Sequence, residues 1–354
     1  MNTKEMVLAL AGANGISGQE GAAVQIARHL LEQVGELETT PLGCVLCWVK
    51  RAAEGKPTIL LNAHIDQIGM IVTCIDEKGF LRVSNCGGVD RSVLLAAQVV
   101  VHTASGPLEG VICTIPPHLS PDDKKVPKME EICIDIGLDE AAAKQRVSLG
   151  DRVSVRMETG ELLEGRISAP AIDDRAGCAA VILAAQRLAK MPVDCGVVVA
   201  LTTMEEVGGQ GARTIAQQIK PDYAFVVDVS FGRAPGVSEH KSGKLDGGPM
   251  LGIAPVLDNE MIAQLRRIAK EDLQMPLQIE VMGGSTGTDA DEIAIAGAGV
   301  RCAMLSIPQR NMHTPVEVIS LADIDVTVEL MLAYILQLAK GSGEGRVSEC
   351  CIRI

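Results

Sequence analysis

The chain has 354 residues, 47% of them apolar; that is longer than one ordinary domain and ample for a core. Its formal charge of -13, from 32 basic and 45 acidic side chains, argues against a nucleic-acid or anionic-membrane surface. Aromatic residues make up 2% of the chain, too few for the stacking faces on which polysaccharide and single-stranded nucleic-acid sites rely.

From the N-terminus, the first apolar stretch covers residues 7–13. Gly12 interrupts it and Lys4 and Glu5 precede it, which makes a poor secretion signal, so a cytoplasmic protein is expected. No apolar run approaches the roughly 20 residues of a membrane-spanning helix. Ser17 and Glu20 have capping-box spacing, and Ala23, Ala27, Leu30 and Val34 share one face, which predicts a helix over residues 18–34. Residues 44–50 and 58–63 read as strands. The second is apolar at consecutive positions, as in a sheet covered on both faces.

Over residues 70–165 short β-like runs alternate with glycine, proline and charge, and the sole helical hint is an acidic stretch at 139–144. After Pro170 the alternation of strand and helix returns, with a helix over 174–190 and strands over 197–204 and 223–229. A helix over 259–273 follows, and a last one begins at Ser320 and runs to about residue 340. The glycine-rich stretch 282–288 lacks the Lys and the spacing of a phosphate-binding loop. This pattern predicts an α/β fold in three segments: a catalytic unit from residues 1–69 and 166–354, and a small β-rich unit of 70–165 inserted between them.

Eleven cysteines are scattered singly through apolar stretches, which suits small buried hydrophobes in a reducing compartment. Cys44 and Cys47 form a C-x-x-C with no second pair at zinc-site spacing, so they are read as core residues. The Cys350–Cys351 pair has no visible partner and is given no role.

Several ligand-type residues stand where an apolar run stops. His64 and Asp66 follow the run at 58–63, Glu205 and Glu206 the run from 197, Asp228 the run from 223, and His313 comes shortly after the run from 300; the pair Asp173 and Asp174 stands where a helix begins. Strands of an open α/β sheet deliver their C-terminal ends to one crevice, so these residues would converge there. Singly, each has an ordinary surface or structural reading. Together they would leave several carboxylates unpaired, a cost that divalent cations remove. Carboxylates mixed with imidazoles are the donor set of a catalytic pair of such ions, which points to a metal-dependent hydrolase.

The chain also resembles the dinuclear metallo-aminopeptidases grouped as glutamyl or deblocking aminopeptidases, some of which build tetrahedral twelve-subunit particles. The resemblance spans nearly the whole chain: Ala63-His-Ile-Asp-Gln-Ile-Gly69, Pro116-Pro-His118, Ile134-Asp-Ile-Gly137, Ile172-Asp-Asp-Arg-Ala-Gly177, Glu205-Glu-Val-Gly208, Val227-Asp-Val229, Gly287-Thr-Asp-Ala290, and Ile307-Pro-Gln-Arg with His313-Thr-Pro315. It implies a helix-covered mixed sheet of the zinc-exopeptidase type with an inserted small β-barrel-like domain that mediates dimer contacts, from which a dodecamer can assemble.

For the site, the resemblance implies that Asp173 bridges two metal ions, zinc above all, with cobalt or manganese also accepted. His64 and Asp228 complete one coordination sphere and Glu206 and His313 the other. Glu205 is the general base toward a metal-bridging hydroxide, and Asp66 orients His64. It also implies a cis peptide bond after Asp173. The expected substrates are short peptides with a free N-terminus, their α-amine anchored at the metals. Arg175 is expected to balance nearby carboxylates. Gln67 and residues 95–98 depart from the family pattern and are expected to bear on substrate preference or subunit contacts. His118, in a proline turn, is expected to pack locally. A dinuclear deacylase of N-acyl amino acids and a catalytically silent assembly protein are the competing readings.

Overall fold

The computed structural model describes residues 1–119, 126–156 and 158–341. Along the chain, α1 (Thr3–Ala11) and α2 (Gly21–Leu31) precede β1 (Glu36–Thr39), β2 (Val45–Lys50) and β3 (Thr58–His64). Next come β4 (Gly69–Ile75), β5 (Leu81–Cys86), β6 (Gln98–Thr103), β7 (Gly106–Ile112), β8 (Cys133–Asp135), α3 (Glu140–Arg146) and β9 (Arg152–Val155). The chain continues through β10 (Gly160–Glu161), β11 (Arg166–Ala169), α4 (Ile172–Leu188), β12 (Gly196–Thr202), α5 (Gln210–Ile219) and β13 (Tyr223–Phe231). It ends with β14 (Met250–Ile253), α6 (Asn259–Arg267), β15 (Gln278–Val281), α7 (Asp289–Ala294), β16 (Arg301–Gln309), β17 (Glu317–Ser320) and α8 (Leu321–Gly341).

Eight strands form a mixed sheet in the order β1-β2-β12-β3-β13-β16-β14-β15. Its middle four, β12, β3, β13 and β16, run parallel, so their C-terminal ends share one edge. β3 and β12 carry consecutive apolar residues, Ile59–Leu61 and Val197–Leu201, and nearly every residue of both strands is buried, as covering on both faces requires. One cover is α4, whose Ala176, Gly177, Ala179, Ala180, Ala184 and Ala185 are all buried. Small side chains let it lie close to the sheet while α1 and α8 pack on its outer side.

Strands β4, β5, β8, β7, β6 and β9 close into a separate barrel. It has its own core, with Met70, Val72, Leu81, Val99, Ile134 and Val153 turned inward. A third, three-stranded antiparallel sheet, β10-β11-β17, lies beyond it in sequence. The barrel interrupts the chain between β3 and β12, strands that lie side by side in the large sheet.

Most predicted elements are present with ends shifted by one to four residues. Three readings need correction. The apolar stretch that makes a poor secretion signal belongs to a helix, α1, whose Asn2 and Glu5 form a complete capping box. The Ser17–Glu20 box is not used: α2 starts at Gly21 without a side-chain cap, and the Ser17 hydroxyl donates instead to Asp66 at 2.6 Å. The predicted helix over 259–273 changes at Ile268 into a π-helical turn that continues to Leu273.

Cys44 and Cys47 are free and buried, as core residues should be. Cys350 and Cys351 lie outside the described residues. Among the described residues no helix is long and apolar enough to cross a membrane.

Candidate metal centre

Four parallel strands aim their C-terminal ends at one point. His64 is the last residue of β3, Asp228 lies near the end of β13, and β12 and β16 lead into the turns that carry Glu205–Glu206 and His313. Asp173 arrives from the start of α4, where it and Asp174 have non-helical backbone angles and are joined by a cis peptide bond, as the resemblance implied.

Asp173 stands between two groups. One oxygen, Oδ1, is 3.0 Å from His64 Nε2; the other, Oδ2, is 3.4 Å from His313 Nε2. Asp228 Oδ1 lies 3.9 Å from the same His64 nitrogen, and Glu206 Oε2 lies 3.6 Å from His313 Nε2. In each set, His64–Asp173–Asp228 and Asp173–Glu206–His313, the ligand-type atoms lie within 4.8 Å of one another. Glu205 leans in from the side, with Oε2 3.9 Å from His64 Nε2.

The electrostatics are those of a site short of positive charge. Burial raises the pKa of Asp228, Glu206 and Asp174 well above the carboxylate range, and neighbouring carboxylates push the same way. Burial also pushes Glu205 up to about 7. For His64 burial opposes protonation, but hydrogen bonds to Asp173 and Asp66 outweigh it and raise its pKa well above the ordinary value. Asp173 is likewise disfavoured as an anion by burial, yet the two histidines facing it lower its pKa. Glu206 Oε1 is buried with no hydrogen-bond partner. An oxygen in that position, among carboxyls that must hold protons to stay buried, fits a cation better than it fits the bare protein.

Buried carboxylates hold the backbone around this cluster. Asp66 accepts from Glu205 N at 3.0 Å and Glu206 N at 3.3 Å, so the turn bearing both glutamates hangs from it. Its contact with His64 is looser, 3.5 Å from Oδ1 to Nδ1. The sequence places both glutamates directly after the apolar run from residue 197. They sit instead in a turn two residues beyond β12, entered through Met204 at φ 61°.

Glu317, which sequence reasoning missed, does the corresponding work on the other side. It accepts from Asp173 N at 3.1 Å and His313 N at 2.9 Å, tying two elements together with one carboxylate. No local pattern marks it; only the pairing of β17 with β11 brings it there.

The barrel also reaches the site. A Cβ on Gly88 would stand 2.7 Å from His313 Nδ1, and one on Gly87 would stand 3.2 Å from Glu206 Oε2. Asp90 N donates to the His313 carbonyl at 3.4 Å. The backbone at 87–90 thus lies directly on the His313 side of the cluster.

Two neighbours of the cluster also tie it to the N-terminal segment. Arg175 is buried and donates to the carbonyls of Leu10 (2.6 Å) and Ala13 (3.2 Å) and to Gln67 Oε1 (3.3 Å), while the nearby carboxylates of Asp66, Asp174 and Glu20 favour its charged form against burial. Gln67 is buried and also accepts from Gly15 N at 3.1 Å, so it braces the N-terminal segment. His118 is exposed in a short turn after β7, outside the cluster.

Known proteins match this architecture along almost its whole length. The lysyl aminopeptidase of Pyrococcus furiosus is 31% identical over 344 residues, 94% of this chain and 97% of that protein. Among solved structures, aminopeptidase APDkam598 from the archaeon Desulfurococcus kamchatkensis superposes with a TM-score of 0.88 at 31% identity, covering 98% of this chain and 99% of the other. The TET1 peptidase of Pyrococcus horikoshii, described as able to assemble into a tetrahedron or a large octahedral shell, gives 0.84 at 29% identity over 95% of this chain and 100% of that one. The fold and its relatives therefore define a peptide hydrolase of the aminopeptidase class. Residues 43–330 match the family described as M42 glutamyl aminopeptidase, and the chain belongs to that family. Membership implies divalent metal ions, in accord with the donor set assembled here.

Proposed function

We propose that the chain removes the N-terminal residue from short peptides, using two divalent ions per subunit. His64 and Asp228 would hold one ion, Glu206 and His313 the other, with Asp173 shared. The observation that carries this reading is Asp173, whose two oxygens each face a separate histidine and acid. The unpartnered Glu206 Oε1 supports it. Zinc suits such imidazole and carboxylate donors best, and cobalt or manganese also fits.

When bound, the ions would acidify a water and polarise the scissile carbonyl. The rest falls to the chain. Glu205 is left outside both donor sets and lies beside them, with Oε2 3.9 Å from His64 Nε2, so its carboxylate is free for proton transfer. It would take the proton of the attacking water and return it to the leaving amine. Asp66 would position it, through the backbone of the turn and through His64.

We further propose a catalytic unit of residues 1–69 and 166–354 and an inserted unit of 70–165. The inserted barrel would carry the dimer contact from which shells like that of the TET1 relative are built. The cell interior is the proposed compartment.

The test is a panel of aminoacyl-arylamides assayed with zinc, cobalt and manganese, beside the Glu205→Gln variant. Glu205→Gln should lower turnover by roughly 10²–10⁴-fold with metal content unchanged. Undiminished turnover would remove the general-base role. Hydrolysis of N-acyl amino acids in preference to free-amine substrates would replace the peptidase reading with the deacylase one.

A further inference from the structure

A cavity of about 600 Å³ opens in front of the cluster and is lined by His64, Asp173, Glu205, Asp228 and His313. The same lining contains a carboxylate, Glu280, that the chemistry above does not use. Glu280 lies on β15, beside Gly252 of β14, which carries no side chain to stand in its way. It therefore reaches across β14 to the inner strands, where it accepts hydrogen bonds from Ser306 Oγ at 3.1 Å and from Ser230 Oγ. Ser306 pairs in register with Asp228, and Ser230 follows Asp228 by two residues on the same strand. All three side chains thus point to one face.

Two observations define what this wall would accept. Glu280 receives hydroxyl hydrogen bonds but makes no ion pair among the described residues, and the cavity lining includes no Lys or Arg. Two divalent ions, as proposed above, would match the charge of the carboxylates of Asp173, Glu205, Glu206 and Asp228 in this lining and would leave Glu280 uncompensated. The same lining includes Met282, Met304 and Met312, flexible thioethers suited to an unbranched aliphatic stem. An anionic side chain would meet only like charge there.

We infer that Glu280 selects the substrate's first residue, receiving the ammonium or guanidinium of an N-terminal Lys or Arg whose stem packs on the methionines. This rests on the reading that the cavity takes the peptide's N-terminal residue. The experiment compares kcat/KM for lysyl-, arginyl-, norleucyl- and glutamyl-arylamides in the metal-loaded enzyme and in Glu280→Gln, with calorimetric binding of free L-lysine and L-norleucine to each.

The wild type should favour lysyl over norleucyl substrate by at least about tenfold, as a charge-assisted hydrogen bond provides. Glu280→Gln should collapse that ratio, chiefly through KM, and should weaken binding of L-lysine more than that of L-norleucine. A wild-type ratio of one or below would overturn the assignment. So would an equal loss for both substrates in Glu280→Gln, which would give Glu280 to the α-ammonium that all substrates share. If no arylamide is hydrolysed with any metal, the aminopeptidase reading fails and takes this inference with it. Hydrolysis without a preference for Lys overturns the role of Glu280 alone.

Discussion

On the His64 side of the cluster, the donors are part of the sheet. His64 is 2% exposed, its N–H donates to Asp174 Oδ2 at 3.3 Å, its carbonyl accepts from Cys178 Sγ at 3.0 Å, and Asp228 sits within β13. On the His313 side, the side chain is 34% exposed, stands in a loop at φ 61°, and is steadied by Glu317 from β17 and by the barrel backbone at 87–90. The first half is made when the core packs. The second is complete only when the core, the small sheet and the barrel are all in place, so the halves should fail separately and for different causes.

The sharpest way to break this contrast is at the residue both halves share. Asp173→Asn should abolish retention of both ions and lower kcat/KM by roughly 10⁴-fold, the upper end of what a single catalytic group contributes. Metal analysis after gel filtration checks it, and one fully retained ion would show that the halves do not depend on a common bridge. Glu317→Gln should be selective. It keeps one acceptor oxygen and loses the other, so metal affinity should fall by roughly 10–100-fold, with the weaker-held ion affected first.

A smaller effect is expected from Gly88→Ala. The new methyl group would press on His313 from the barrel side, at the roughly 1–3 kcal/mol typical of overpacking, and weaken one ion while the other titrates as before. Equal weakening of both would merge the two halves. The least effect, and the most general, concerns the metal-stripped protein. Glu205 rises from 4.5 to about 7 and Asp289 from 3.8 to about 6 because both are buried, so the folded chain holds protons that the unfolded chain releases. That stability is fully present below pH 3.8 and is lost as pH rises through about 6 to 7. Thermal melts of the stripped protein should therefore fall in Tm over this window, and saturating metal should flatten the trend.

These contrasts also mark what the sequence could yield. His64, Asp228 and the Glu205–Glu206 turn were legible because a charged residue ending an apolar run is a local signal, and parallel strands carry such ends to one edge. The sheet, its buried helix and the β-rich insert were legible for the same reason: periodicity is local. Glu317 and Gly88 were not, because one lies on a short strand of a minor sheet and the other in a loop of the barrel, and only tertiary pairing gives either a role. Ser17 shows the opposite failure. Its capping pattern was real, but a buried carboxylate took its hydroxyl, and a tertiary bond overrode the local one. The hydrogen bonds of Gln67 and Arg175 to the N-terminal segment were not legible either, because their partners are far away in sequence.

That last tether sets a limit on how the chain can be shortened. The guanidinium of Arg175 is sealed inside the protein, and two of its hydrogen bonds go to carbonyls at and just beyond the end of α1. A fragment that began at the first sheet strand would keep every proposed metal donor and still take two hydrogen bonds from this buried cation, at about 1.5–3 kcal/mol each. The opening thirteen residues, remote from the chemistry in sequence, are thus a structural prerequisite for the helix that presents Asp173, and a trimmed enzyme should be designed to retain them.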